Sequence, residues 1–152
     1  HINAPTKTVC HASTMRHIAD MVQDKNPVTL PQTASVHEAC CQMCARRVGA
    51  VLIADADRRL VGIFTGRDAV ARVLAEGRDP RTTPLASVMT SSPVTLTPDQ
   101  SAIDALRVMQ DGGFRHLPVV KDGRIVSVIS RGDFRGLEVA RLNEETDLWE
   151  RI

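Results

Sequence analysis

A chain that repeats itself must fold as like units in series, and this one repeats over most of its length. Pro27-Val28-Thr29-Leu30 returns 66 positions later as Pro93-Val94-Thr95-Leu96. At that offset Ser35 meets Ser101, Ala39 meets Ala105 and Met43 meets Met109. The second hairpin is one residue shorter, so Leu60-Val61-Gly62-Ile63-Phe64-Thr65 matches Ile125-Val126-Ser127-Val128-Ile129-Ser130 and Asp68 matches Asp133 at an offset of 65. The expected division is a tail over 1–17 (led by His1 and open to being a tag remnant), a first repeat over 18–78, a linker over 79–84, a second repeat over 85–142 and a helical tail over 143–152.

Each copy reads as β-α-β-β-α. An extended piece, Val28 to Leu30, follows a proline, which disfavours helix for the residue before it. Ser35 with Glu38, and Ser101 with Asp104, stand at capping-box spacing before a helix. Two apolar runs then flank a polar turn, with Asp122-Gly123 marking the second hairpin. Runs this rich in β-branched residues suit strands buried on at least one face. A second helix is expected to open at Thr65 and at Ser130, the first copy running to about Glu76 with Gly77 beyond it. Neither half can cover its own sheet, so the expected class is α+β, two such units packed sheet to sheet with pseudo-two-fold symmetry.

The chemistry concentrates in Thr65-Gly66-Arg67-Asp68 and its echo Ser130-Arg131-Gly132-Asp133. A hydroxyl cap with an acid at the third helical position is ordinary helix capping. The same arrangement at a strand end also offers a phosphate the free N–H groups and positive end of a helix. Arg67 or Arg131 adds a charge-assisted contact, and the aspartate can accept both hydroxyls of a ribose.

A proline-led Val-Thr strand, a helix, an apolar hairpin and Gly-x-x-[Ser/Thr]-x-x-Asp, all in tandem, resemble a pair of cystathionine-β-synthase (CBS) domains, a Bateman module. The resemblance covers about 125 of the 152 residues. It implies two related clefts that bind AMP, ADP, ATP or another adenosyl ligand (NAD or S-adenosylmethionine among them) as a signal, with no cofactor required and no catalysis. Carried over, it nominates Val28, Thr29, Thr65, Arg67 and Asp68 around the first motif, and Val94, Thr95, Ser130, Arg131 and Asp133 around the second. Arg115-His116-Leu117-Pro118 resembles the family's strand start, which adds His116 and Pro118, although His116 also reads as a half-exposed strand residue. Two departures make the clefts unlike: Gly49-Ala50-Val51-Leu52 replaces that strand start in the first repeat, and Ser127 stands where the motif expects glycine. The family implies a homodimer, and the functional expectation is a ligand sensor in signal transduction. Two rival readings are a regulatory fragment of a larger enzyme or transporter, and a structural dimerisation module with empty clefts.

Composition narrows the partners. Lys+Arg 19 against Asp+Glu 18 gives a net charge of +1, without the basic excess of a nucleic-acid binder. No apolar run approaches the roughly 20 residues of a membrane span and no secretory leader is evident, so a cytoplasmic protein with an unknown downstream partner is expected. Cys40, Cys41 and Cys44 sit on one expected helix; with Cys10 and His11 they admit a metal reading, and without them Cys40 reads as a small core residue aligned with Leu106. No metal site, catalytic dyad or phosphate loop is expected. The tail's Leu148, Trp149 and Ile152 suit a helix docking on a neighbouring surface.

Overall fold

The computed structural model describes residues 16–23 and 25–151, with the backbone alone at 137 and 145–151. Cys10, His11 and the side chains of Leu148, Trp149 and Ile152, on which two expectations rest, lie outside the described residues.

The first unit follows the expected order. β1 (Thr29–Leu30) pairs in parallel with β2 (Ala50–Ala54), Leu52 N–H donating to Val28 O at 2.9 Å. Between them α1 (Val36–Arg46) starts where the Ser35 hydroxyl accepts from Glu38 N–H, and it stops at Arg47, whose φ of 54° turns the chain out of the helix. β2 and β3 (Leu60–Thr65) form the antiparallel hairpin. β3 leads directly into α2, which opens at Gly66–Asp68 and continues over Ala69–Leu74 with π-helical pairing, Ala75 N–H reaching Val70 O at 2.8 Å. Gly77, at φ 71°, ends this passage as its composition suggests.

A strand not read from the sequence completes this sheet. β4 (Thr90–Ser91) runs antiparallel to β3, giving the order β1-β2-β3-β4. Gly62 makes room for it, since a Cβ there would lie 2.6 Å from Met89 Sδ and 2.8 Å from Thr90 O. No side chain fits against a backbone oxygen at that distance.

In the second unit α3 (Ala102–Gly112) is capped by Ser101 and ends at Gly113, φ 70°. β5 (His116–Lys121) and β6 (Arg124–Ser130) close through Asp122 and Gly123, both at positive φ, as an Asp-Gly hairpin turn requires. The leading strand shrinks to a single parallel bridge, Leu96 beside Val119. The helix expected to open at Ser130 does not form there. Arg131–Asp133 makes one 3-10 turn, Phe134 returns to extended backbone and α4 begins at Gly136, running to Arg151. Two contacts explain the break: Phe134 is buried in the second core, and Arg16 Nη2 donates to the Asp133 carbonyl that a continuing helix would use.

The sheets face each other as expected. Ala50, Leu52 and Ile63 of the first meet Ile125 of the second, with Leu60 and Val128 packed alongside. Each sheet's other face is covered by helices. Phe64, Val51, Ile53, Val36 and Met43 fill the first half, and Met109, Leu117, Val119, Ile129 and Leu106 the second. Each half also takes in the leading segment of the opposite repeat. The short helix Ile18–Met21 puts Ile18 and Val22 into the second core, while Leu85, Val88 and Met89 enter the first.

Candidate functional site

Two clefts open where the halves meet, and each is built from both repeats. The first, about 730 Å³, is lined by Thr65, Arg67 and Asp68 from the first motif and by Val94, Arg115, His116 and Pro118 from the second repeat. The second, about 330 Å³, joins Ser130 and Asp133 to Val28, Lys25 and Arg47, with His116 again on its wall. Both volumes lie within the roughly 300–1,000 Å³ range of small-molecule sites. The motifs are thus crossed. Val28 faces the second motif and Val94 the first, opposite to the grouping read along the chain. Face-to-face packing of the sheets causes this, because it sets each strand end against the other unit's leading segment.

Three nominated residues line neither cleft. Thr29 borders a shallow recess with Leu30, Asp55 and Arg58, whereas Thr95 and Arg131 are exposed. Conversely, Lys25, Arg47, Gly49, Phe114 and Arg115 border the clefts and were not nominated. Arg115 adjoins the strand-start motif, so a signal for it existed. Lys25 and Arg47 precede a strand and end a helix, and only the tertiary fold brings them to the site.

Both capping motifs staple their own turns. Thr65 N–H and its hydroxyl donate to Asp68 Oδ2 at 3.0 and 3.1 Å, and Asp68 N–H donates back to Thr65 Oγ1 at 3.3 Å. Ser130 N–H and hydroxyl reach Asp133 Oδ2 at 2.7 and 3.2 Å. At the start of α2, Gly66 N–H is also taken by Gly49 O at 3.1 Å. The backbone cradle is therefore largely used up. The anion partners left at the first cleft are the guanidinium groups of Arg67 and Arg115. Each aspartate keeps Oδ1 for other work. Asp68 Oδ1 lies 3.7 Å from Arg72 Nε, whose Nη1 is held by the carbonyls of Val88 and Met89, while Asp133 Oδ1 pairs with Lys25 Nζ.

His116 separates the clefts. Its ring lies against Gly49, where an added Cβ would be 3.0 Å from Cε1 and Nε2. Burial pushes its pKa below the ordinary histidine value; nearby Asp133 opposes that shift and Arg115 adds to it. A folded-state pKa below the unfolded value means the unfolded chain binds the proton first as pH falls. The stability supplied by neutral His116 should be fully present above the unfolded value near 6.5 and drain away as pH drops through the folded one. Denaturation midpoints of wild type and His116→Gln between pH 7.5 and 5 should converge toward low pH. Parallel curves would refute this.

The cysteine helix divides. Cys40 is half-buried, packs on the first core and has a thiol pKa raised by burial, whereas Cys41 and Cys44 are exposed. Cys41 Sγ lies 3.6 Å from His37 Nε2. Among the described residues no three His, Cys, Asp or Glu side chains gather to hold a metal, and no helix is long and apolar enough to cross a membrane.

Comparison with known proteins bears on the whole arrangement. The CBS domain model matches twice, at residues 18–75 and 85–139. The CBS domain-containing protein CBSCBSPB3 of Arabidopsis thaliana is 43% identical over 102 residues, which is 67% of this chain and 18% of that protein. The chain thus spans under a fifth of the length of that relative. Among solved structures, a CBS domain protein of Pyrobaculum aerophilum complexed with AMP superposes with a TM-score of 0.75 at 27% identity, covering 84% of this chain and 98% of that one. A CBS-domain containing protein of Agrobacterium tumefaciens gives 0.71 at 31% identity over 82% and 98%. Two matched copies, crossed at two clefts, identify the chain as a member of the CBS-domain family, folded as a tandem pair.

Proposed function

We propose that this CBS pair is a regulatory, non-catalytic sensor that binds an adenine nucleotide (AMP, ADP or ATP) at the first cleft. The observation that carries the reading is the convergence there of Asp68 Oδ1, Arg67 and Arg115 beside the extended segment at Val94. A carboxylate oxygen suits ribose hydroxyls, two guanidinium groups suit a phosphate, and extended backbone suits the edge of a base. The AMP complex of the Pyrobaculum protein, at 27% identity, supports that ligand class.

The test is a thermal-shift and calorimetric screen of AMP, ADP, ATP, NAD and S-adenosylmethionine. A bound ligand at 100 times its Kd should stabilise the fold by about 2.7 kcal/mol. Asp68→Ala should weaken binding at the first cleft at least tenfold. No response to any of the five removes the reading.

A homodimer, a cytoplasmic setting and a downstream protein partner belong to the same proposal. Val70 and Leu74, 60% and 64% exposed and one turn apart on α2, form the apolar face on which we place the second copy. Sedimentation as a monomer at tens of micromolar would exclude that pairing.

A further inference from the structure

We infer that Lys25 makes the second cleft selective for a phosphorylated ligand over an uncharged nucleoside; this rests on the adenosine reading above and names the chemistry of the other site. Asp133 is the more heavily engaged of the two aspartates, with both oxygens in use. Oδ2 accepts from Ser130 N–H and hydroxyl, and Oδ1 pairs with the Lys25 ammonium. The equivalent oxygen of Asp68 has only the looser 3.7 Å contact with Arg72. Ribose hydroxyls at Asp133 Oδ1 must compete with the Lys25 ammonium for that oxygen.

The ligand decides whether that exchange is favourable. The Lys25 side chain is 38% exposed against 20% for Asp133, so a displaced ammonium returns to water unless the ligand brings a charged acceptor that holds it more favourably. An uncharged nucleoside offers nothing comparable to a carboxylate. A phosphate does, and Lys25 lines the same cleft, on a four-carbon stem long enough to swing from one acceptor to the other.

The experiment titrates AMP and adenosine calorimetrically into the full chain carrying Asp68→Ala, which weakens the first cleft, with and without Lys25→Met; Lys25→Gln serves as a second variant should the first fold poorly. With Lys25 present, AMP should bind the second cleft at least tenfold more tightly than adenosine. Without it AMP should weaken while adenosine tightens, because Asp133 is released. That reciprocal change is the signature, since a merely structural role for Lys25 would weaken both ligands together. Equal affinities before the substitution, or a parallel loss after it, overturn the inference. AMP bound to the wild type at the first cleft alone, with the second silent in every protein, overturns it and leaves the proposed function standing. No binding at either cleft overturns both.

Discussion

Replacing Arg16 by alanine is expected to destabilise the protein by about 3–5 kcal/mol, the range for removing one partner of a buried ion pair. Arg16 and Glu138 have side chains only 15% and 5% exposed. The guanidinium reaches Glu138 Oε1 through both Nε and Nη2, and Nη2 also donates to the Asp133 carbonyl. Glu138 Oε1 takes the Arg135 N–H as well, but Oε2 has no partner among the described residues. Without Arg16 the carboxylate is buried and uncompensated, the segment before Ile18 loses its anchor and the Asp133 carbonyl loses its donor. In a domain of this size each kcal/mol moves Tm by roughly 2–4 °C, so Tm should fall by roughly 6–20 °C. Exchanging both partners, Arg16→Met with Glu138→Leu, should recover most of the loss, because well-packed apolar pairs often replace buried ion pairs at little cost. Urea melts of the three proteins decide the matter. A loss under 1 kcal/mol for Arg16→Ala, or a double variant no better than the single, shows that the pair is not what holds this region.

Phe64→Ala should cost a similar amount, about 3–5 kcal/mol, by a different route. Phe64 is fully buried on β3 and is among the largest side chains so enclosed. The aromatic content of the chain is only 3%, so the first core, made otherwise of Val, Ile, Leu, Met and Ala, has little bulk with which to refill the cavity. The next residue is Thr65, so slack in β3 should also loosen the motif at the first cleft. The expected result is a lower urea midpoint together with weaker AMP binding. Phe64→Leu, which keeps most of the volume, should lose much less of both. A Phe64→Ala protein as stable as wild type would mean the halves collapse around the gap.

Much of this was legible in the sequence because it is local. The capping pairs Ser35–Glu38, Thr65–Asp68 and Ser130–Asp133, the Asp122-Gly123 turn and the buried hairpins depend on neighbours within a few positions, and each forms as its residues imply. What stayed hidden is set by contacts between distant segments. Nothing near Thr90 announces a strand, which exists because Gly62 leaves space beside β3. Ser130-Arg131-Gly132-Asp133 reads as a helix start in isolation, yet Phe134 and Arg16 end the turn from outside it. The crossing of Val28 to Asp133 and of Val94 to Asp68 follows from how two sheets face, and a linear reading assigns each segment to its own repeat. Lys25 went unnoticed for the same reason, its role appearing only once Asp133 stands beside it.

The exchange of short segments between the cores has a mechanical consequence. Ile18 and Val22 are lodged in the far half, and Leu85 to Met89 cross in the other direction, so the repeats are laced together rather than stacked. Lys25 sits just beyond the first lace, and Thr90, on the wall of the larger cleft, just beyond the second. Under the proposed function, a ligand in either cleft would press on a segment anchored in the opposite core. For such a sensor the laced segments would carry occupancy between the halves without a hinge.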